Sequence, residues 1–256
     1  RIRKQWFPLI FGDTKYSTHD VIGDYDIINN FTYDELRQFY YDWYRTDQQA
    51  VAVVGDVDVA QVEKKIQEMF SSIPAVENPK QKETIVLPTN EKPLYVLATD
   101  KEETRSTIQI MMLDKSGKDK TVGGLRAELA DKMYSSMLSQ RIGEKITKGE
   151  AVMVVGGASR GKFIDGYKAY SMMVVPKDGL DCEGIELVYT EAVRAQRHGF
   201  LESELKRAKE SLVNDLDNQF KQKDKISNTQ LIKELVSYFV YDDVPVKFEE
   251  LYSIEK

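Results

Sequence analysis

Residues 31–74 constrain the fold of this chain most, because they carry one complete helix–strand–helix pattern. Thr32 and Glu35 have the spacing of a capping box, in which a hydroxyl and a carboxylate bind the exposed amides of a first helical turn. The apolar residues that follow recur at helical spacing and are Leu36, Phe39, Tyr40 and Trp43. This spacing predicts a helix with one buried face.

The second half of the pattern predicts a strand and another helix. Residues 50–54 form a short, apolar and mostly β-branched run, which is typical of a strand covered on both faces. Asp58 then offers a side-chain oxygen to the first amides of a helix that ends before Pro74. The apolar stripe of that helix comprises Val59, Val62, Ile66, Met69 and Phe70. Many unrelated functions use such a helix–strand–helix unit, so the pattern alone predicts no activity.

The charge of the chain limits the classes of partner. Lys and Arg total 36 against 42 for Asp and Glu, which gives a net charge of -6 with both signs interspersed. This balance argues against a general binder of nucleic acid or anionic membranes. No apolar run approaches the roughly 18 residues of a membrane span, and no targeting segment is evident. Because the sequence opens with Arg1 rather than Met, we expect a processed or engineered start.

A polar segment divides the chain into two parts. Residues 79–92 contain Pro and several charged side chains, which is typical of a linker. The sequence therefore predicts one domain over 1–78 and a second over 93–256. The predicted strands of the second domain are 94–99, 107–112, 151–155 and 167–175, with glycines around the turn between the last two. Its first predicted helix carries an apolar stripe from Leu125 to Ile142. Two further helices are predicted over 181–197 and 202–241.

Several motifs resemble the pitrilysin/insulinase (M16) family of zinc peptidases and occur in that family's order. They run from the aromatic helix and Val-Val-Gly-Asp-Val-Asp at 53–58 to Gly-Phe-Leu-Glu-Ser-Glu-Leu at 199–205. Arg-Ile-Gly-Glu-Lys at 141–145 and Gly-Ala-Ser-Arg-Gly at 157–161 resemble the long bacterial members of PqqL type. The resemblance implies an α+β fold of two-layer sheet-and-helix rolls. We expect the C-terminal part of one lobe and most of a second, truncated at its C-terminal end.

The zinc centre of such a peptidase is expected outside this sequence. A zinc hydrolase needs three protein ligands, an open position for water and a carboxylate base. The family supplies them from an inverted His-x-x-Glu-His helix and a distant glutamate, and this sequence contains neither. The resemblance therefore implies that the ligands of the parent protein lie upstream of residue 1. We expect no metal ligand and no catalytic residue in this chain.

The remaining residues with metal or nucleophile chemistry have simpler interpretations. His19 lies in a predicted loop and is typical of a surface hydrogen-bonding residue rather than a ligand. His198 precedes Gly199 at a predicted helix end, where a positive charge meets the negative end of the helix dipole. Cys182 is the only cysteine, so it excludes an internal disulfide and a thiolate cluster. A small side chain near a helix start is the simpler alternative to a nucleophile.

Arg141 is the one candidate substrate-binding residue. It matches the first arginine of a family string in which an arginine and a later tyrosine contact the peptide. The second arginine of that string is absent here, and no tyrosine follows before Tyr167. Arg141 therefore either bonds a peptide carbonyl or forms a salt bridge on a helix surface.

The function implied by the resemblance is part of a zinc-dependent oligopeptidase or processing peptidase. This part would supply chamber wall and peptide-binding surface, act on a peptide together with the missing catalytic lobe, and be inactive alone. Two alternatives stay open: a non-catalytic M16-fold assembly subunit or pseudo-peptidase, and an unrelated α+β binding module. The resemblance favours a bacterial periplasm or cell envelope. A truncated lobe would expose an apolar face, so we also expect the chain to form homo-oligomers.

Overall fold

A computed structural model describes residues 1–117, 119–149, 152–243 and 248–256. The chain divides into two compact units, residues 1–104 and 105–256. The sequence predicted domains over 1–78 and 93–256 with a linker over 79–92, and these bounds stay predictions. Within the described residues, no helix has the length and apolar character that crossing a membrane requires.

The first unit, whose residues are all described, is helical. Its α-helices are α1 Ile2–Phe11, α2 Lys15–Thr18, α3 Tyr25–Asn30, α4 Tyr33–Trp43 and α5 Val59–Phe70. The predicted capping box of α4 is confirmed, because the Glu35 N–H donates to Thr32 Oγ1 at 3.2 Å and the Thr32 N–H donates to the Glu35 carboxylate at 2.7 Å. The Asp58 carboxylate accepts from the Gln61 N–H at 3.1 Å and starts α5 as predicted.

Two predictions for the first unit are wrong. Residues 50–54 and 94–99 form no strand in the structure, since a β-prone segment needs a paired neighbour to become part of a sheet. The apolar stripe of α4 is not buried, because Leu36, Phe39 and Tyr40 are 54%, 56% and 55% exposed. Helical spacing specifies which side chains share a face but not whether another element covers that face.

The described part of the second unit places helices on an antiparallel sheet. Its strands are β1 Ile108–Lys115, β2 Met153–Ile164 and β3 Tyr167–Pro176, in the order β1-β3-β2. Its helices are α6 Val122–Thr147, α7 Asp181–His198, α8 Glu202–Lys221, α9 Asn228–Tyr241 and α10 Phe248–Glu255. The α+β fold class is confirmed.

The β2–β3 hairpin differs in detail from the prediction. Asp165 and Gly166 form its two-residue turn, and Gly166 adopts a φ of 79° that glycine tolerates best. The strand predicted at 151–155 begins at Met153 and continues through Gly156 and Gly157, which lie within the ladder rather than in a turn. Ala151 lies outside the described residues. The predicted strands at 107–112 and 167–175 correspond to β1 and β3.

The single helix predicted over 202–241 is wrong. The α8 helix ends at Lys221, a short 3-10 turn follows at Lys223–Lys225, and α9 begins after Ser227. The Ser227 hydroxyl accepts from the Gln230 N–H at 3.3 Å. A serine oxygen that binds the backbone competes with a continuous helix and starts a new one.

The core of the second unit lies between the sheet and the helices α6 and α7. Leu138 and Ile142 of α6, Val174 of β3 and Val188 of α7 are each 0% exposed. These residues belong to one buried cluster, which confirms the C-terminal part of the apolar stripe predicted for α6. Leu125, Leu129 and Met133, earlier in the stripe, are only partly buried. A side chain at Gly184 of α7 would lie 3.3 Å from Val174, so this glycine lets α7 approach the sheet closely.

Candidate functional site

Arg141 is held in a bidentate ion pair with Glu204. Arg141 Nη2 donates to Glu204 Oε2 at 2.6 Å, and Arg141 Nε donates to Glu204 Oε1. Arg141 Nη2 also donates to the carbonyl of Gly199 at 3.1 Å. The two side chains are 19% and 10% exposed, so the pair is largely shielded from solvent. Two parallel charge-assisted hydrogen bonds give such a pair a defined geometry.

Three helices bring these groups together. Arg141 lies in the last third of α6, and Glu204 lies in the first turn of α8. The Glu204 carboxylate also accepts from the Leu201 N–H at 2.6 Å, which satisfies an exposed amide at the start of α8. Gly199 follows α7 with a φ of 70° and turns the chain toward α8. Arg141 therefore joins α6 to the α7–α8 connection.

The pair keeps both partners charged. The hydrogen bond from Arg141 holds the pKa of Glu204 below its ordinary value. The same bond raises the pKa of Arg141. The arrangement can position a guanidinium and neutralise a carboxylate, but it does not supply an acid or base that changes protonation near neutral pH.

One aromatic ring contacts the guanidinium, and two tyrosines lie beyond that ring. The Arg141 Cζ atom lies 4.5 Å from the centroid of the Phe200 ring, within the range of a cation–π contact. Tyr134 meets Phe200 edge to face at 5.7 Å, and its hydroxyl lies 2.9 Å from that of Tyr170. Burial, and then the hydrogen bond to Tyr134, raises the pKa of Tyr170. Tyr170 is therefore a neutral hydrogen-bonding group rather than a base.

A second charged cluster continues along α6 from Arg141. Glu191 of α7 has a side chain that is only 5% exposed. Its Oε1 atom lies 2.8 Å from Arg194 Nη1 and 3.6 Å from Lys145 Nζ. A buried carboxylate is tolerated because these cations compensate its charge. Lys145 lies four residues after Arg141 on α6, so the two charged clusters are neighbours along that helix.

One edge of the sheet is partly covered by α6. The Arg160 N–H in β2 donates to Ser135 Oγ of α6 at 3.0 Å. The Arg160 N–H therefore points away from β3. Arg160 and Tyr170 are paired in the ladder but exchange no backbone hydrogen bonds. A helix that binds the outer amides of an edge strand protects that edge from pairing with other chains.

The other edge of the sheet, β1, is open. Tyr170 of β3 pairs with Arg160 on one side and with Met112 of β1 on the other. A residue in the middle strand directs its backbone hydrogen bonds to one neighbour only, so those of Tyr170 are directed to Met112. The Met112 N–H consequently faces β3, whereas the amides of Met111 and Leu113 face outward. In the part of the chain that the structure describes, no further strand pairs with β1. The Met112 residue of this edge strand is 50% exposed.

The described residues do not fit a zinc centre of hydrolase type. His19 belongs to the first unit, where its Nδ1 lies 2.8 Å from Thr18 Oγ1. His198 is the last residue of α7 in the second unit. Over 1–117, 119–149, 152–243 and 248–256, no three His, Cys, Asp or Glu side chains lie close enough to hold a metal ion. Cys182 is exposed in the first turn of α7.

The sequence predicted Arg141 but missed its partner. Glu204 comes three residues after Leu201 at the start of a predicted helix, and this spacing alone signals a carboxylate that reaches back to an exposed amide. No sequence signal pairs Glu204 with Arg141, because their proximity depends on how α6 and α8 pack. Tyr134 and Tyr170 were missed for the same reason. The substrate contact of Arg141 stays a prediction.

The chain belongs to the M16 peptidase family. A family model described as the peptidase M16 inactive domain matches residues 30–212. This match includes α4 and α5 of the first unit and most of the second unit. The resemblance noted in the sequence is thereby confirmed.

Known relatives of the chain are named as zinc proteases. It is 26% identical over 256 residues to the probable zinc protease PqqL of Escherichia coli (strain K12), covering 97% of this chain and 27% of the relative. The crystal structure of the periplasmic protease PqqL from Escherichia coli matches with a TM-score of 0.87 at 22% identity. That match covers 98% of this chain and 28% of the other.

The structural match extends to a shorter piece of the same relative. The crystal structure of the first half of PqqL from Escherichia coli also matches with a TM-score of 0.87, at 21% identity. It covers 98% of this chain and 54% of that chain. The present chain thus spans about a quarter of the whole relative and about half of its first half.

Proposed function

We propose that this chain is a wall and peptide-binding portion of an M16-type zinc-dependent peptidase. The zinc ligands and the catalytic base belong to residues outside this chain, upstream of residue 1. Family membership, the relative named as a zinc protease and the partial coverage of that relative support this proposal. No step of peptide hydrolysis is assigned to the residues described above.

The open edge of β1 is the observation that favours peptide binding. Met111 and Leu113 point their N–H groups outward, so an extended peptide can add as a further strand. Main-chain hydrogen bonds recognise any sequence, which suits a protein that handles varied peptides. The side chains of Ile110 and Met112 are partly exposed and apolar, and the flexible thioether adapts to different neighbours.

Peptide binding at this edge is tested with a proline substitution. A fluorescent extended peptide should bind the chain and should lose affinity for the Met111→Pro variant, because proline removes one outward amide. The matched control is Met111→Ala, which removes the side chain but keeps the amide and should bind as the wild type does. Circular dichroism checks that both variants are folded. Equal binding by all three proteins would exclude the β1 edge.

We propose that Arg141 supports this function by holding α6 and α8 together rather than by contacting the peptide. Two of its nitrogens bind Glu204 and Gly199, so binding a peptide carbonyl requires the remaining part of the guanidinium. In the whole protein, Arg141→Lys should alter stability more than KM. A large rise in KM at unchanged stability would instead assign Arg141 to the substrate.

The absence of catalysis in this chain is tested by metal analysis. The purified chain, equilibrated with zinc and then dialysed, should retain no stoichiometric zinc and should cleave no fluorogenic peptide. Stoichiometric zinc with turnover would overturn the proposal. A His-x-x-Glu-His string in the residues preceding this chain would favour an active peptidase, whereas its loss would favour a pseudo-peptidase or assembly subunit.

The proposed location is the periplasm or cell envelope of a bacterium. The relative whose structure matches this chain is described as a periplasmic protease. Separation of periplasmic and cytoplasmic fractions of the source cells, followed by immunoblotting, tests the location. Recovery in the cytoplasmic fraction alone would contradict it.

A further inference from the structure

Residues 79–100, here called the strap, include the predicted linker. Lys80 of the strap is bound by residues at and just after the end of α4. The carbonyl of Lys80 accepts from Arg45 Nη1 at 2.9 Å, and the Lys80 ammonium donates to Asp42 Oδ2 at 3.2 Å. The same ammonium lies 5.5 Å from the centroid of the Trp43 ring. Both the main chain and the side chain of Lys80 are therefore anchored to the first unit.

Arg45 is the centre of this attachment. Its side chain is only 3% exposed, although it carries a charge. Its Nε and Nη2 atoms donate to the two carboxylate oxygens of Asp47 at 2.9 and 3.1 Å, and its Nη1 donates to the carbonyl of Asp42 as well as that of Lys80. A buried guanidinium is stable only with such partners. Detachment of the strap would remove one of them and open Arg45 to water.

The middle of the strap contacts the α1–α2 region. Pro88 packs on Gly12, where an added Cβ would lie 3.2 Å from Pro88 Cγ. Leu87 next to it is 3% exposed and belongs to the buried residues of the chain. Lys15 Nζ lies 2.9 Å from Glu83 Oε2, although both side chains are more than half exposed, so this ion pair adds little. Burial of Leu87 and Pro88 is the stronger contact.

The end of the strap is bound to α1. The Gln5 side chain forms two hydrogen bonds with the main chain of Thr99, accepting from its N–H at 3.1 Å and donating to its carbonyl at 2.9 Å. Arg1 Nε lies 3.1 Å from Asp100 Oδ2. Attachments at Lys80, Pro88 and Thr99 thus cover the whole length of the strap.

We propose that the strap is a fixed part of the first unit, pinned by Arg45, and that residues 103–107 form the flexible connector to the second unit. Residues 103–107 are exposed and belong to no helix or strand, and the division between the units falls at 104. The flexible join is therefore assigned to 103–107, outside the segment that composition predicts as the linker. This inference does not depend on the proposed function.

Limited digestion of the protein with trypsin tests the proposal, with the cleaved bonds identified by mass spectrometry. Lys80 and Lys82 are cleavage sites in the strap, and Arg105 is a site in the connector. Lys92 is not informative, since the following Pro93 blocks cleavage. Cleavage after Arg105 should be at least about tenfold faster than cleavage after Lys80 or Lys82, because proteolysis requires local unfolding.

Substitution of Arg45 should reverse this protection. Arg45→Ala should accelerate cleavage after Lys80 and Lys82 about tenfold and leave cleavage after Arg105 unchanged. The matched control is Arg37→Ala, which removes an exposed arginine that lies in α4, the helix before Arg45, and pairs with Asp34. This control should change neither rate.

A second variant covers the case in which Arg45→Ala fails to fold. Lys80→Ala leaves Arg45 in place but removes the bond to Asp42 and the contact with Trp43, so cleavage after Lys82 should still become faster. Circular dichroism establishes that each variant is folded. Cleavage of the folded wild type after Lys82 as fast as after Arg105 would overturn the proposal, and so would an unchanged rate after Lys82 in folded Arg45→Ala or folded Lys80→Ala.

Discussion

Replacing Arg141 with alanine should lower the free energy of unfolding of the second unit by about 2–4 kcal/mol. The substitution removes two charge-assisted hydrogen bonds to Glu204 and leaves a carboxylate that is 10% exposed without its cation. A hydrogen bond to a charged group contributes about 1.5–3 kcal/mol, and loss of one partner of a buried pair costs about 3–5 kcal/mol. Because both side chains keep some exposure, the expected loss is about 2–4 kcal/mol rather than the full 3–5 kcal/mol of a completely buried pair.

The interaction between the two residues is measured with a double-mutant cycle. Urea unfolding followed by far-UV circular dichroism gives the stability of Arg141→Ala, Glu204→Gln and the double variant. The double variant should be less destabilised than the sum of the single variants, with a coupling of about 1–3 kcal/mol. Arg141→Lys should retain only part of this coupling, because a lysine cannot form the bidentate contact.

The same experiment contains an internal control. Trp6 and Trp43 are the only tryptophans, and both lie in the first unit. Tryptophan fluorescence therefore follows the first unit and should be unaffected by changes at Arg141. A loss below about 1 kcal/mol for Arg141→Ala, or additive effects in the cycle, would refute the view that this pair joins α6 to α8.

Further substitutions test the fold and the predicted association. Leu138→Ala should cost about 2–5 kcal/mol in urea unfolding, because Leu138 is 0% exposed; a loss below about 1 kcal/mol would contradict its place in the core. Gly166→Ala should cost about 1 kcal/mol by the same assay, since its φ is 79°, and a neutral effect would contradict that turn. Because the pKa of Glu204 is lowered in the folded chain, its ionised form stabilises the fold at pH values above the ordinary carboxyl pKa, and this stability is lost as the pH falls through the lowered pKa. In an acid titration of unfolding, Glu204→Gln should not show this loss of stability. Phe39→Glu should reduce self-association in sedimentation velocity if the exposed face of α4 drives it, and strictly monomeric wild type at high concentration would exclude that role.

Local signals predicted much of the secondary structure. The capping box of Thr32 and Glu35 and the carboxylate of Asp58 start α4 and α5 as expected, because each acts within a few residues. The spacing that ends at Ile142 predicted the buried stripe of α6. Ser227 carried a similar signal that the continuous apolar and charged pattern obscured, so one helix was predicted where the structure has two.

The candidate site was less predictable than the helices. Motif position identified Arg141, yet only packing between α6 and α8 brings it within hydrogen-bonding distance of Glu204. The set of β1 amides that face outward depends on the register of β1 against β3, which no pattern in the sequence encodes. Likewise, composition predicted a linker over 79–92, but no pattern in the sequence encodes the hydrogen bond from Arg45 to the main chain at Lys80.

The sequence by itself determined the family, the positions of most helices and the absence of an internal disulfide, because these depend on residue identity and short-range spacing. The tertiary structure decided which faces are buried and which charges are paired. The stripe of α4 has the right periodicity for a core and is nevertheless exposed, whereas Arg45 is charged and nevertheless buried. Burial depends on the elements that pack on a side chain, and those contacts form between residues that are distant in the sequence.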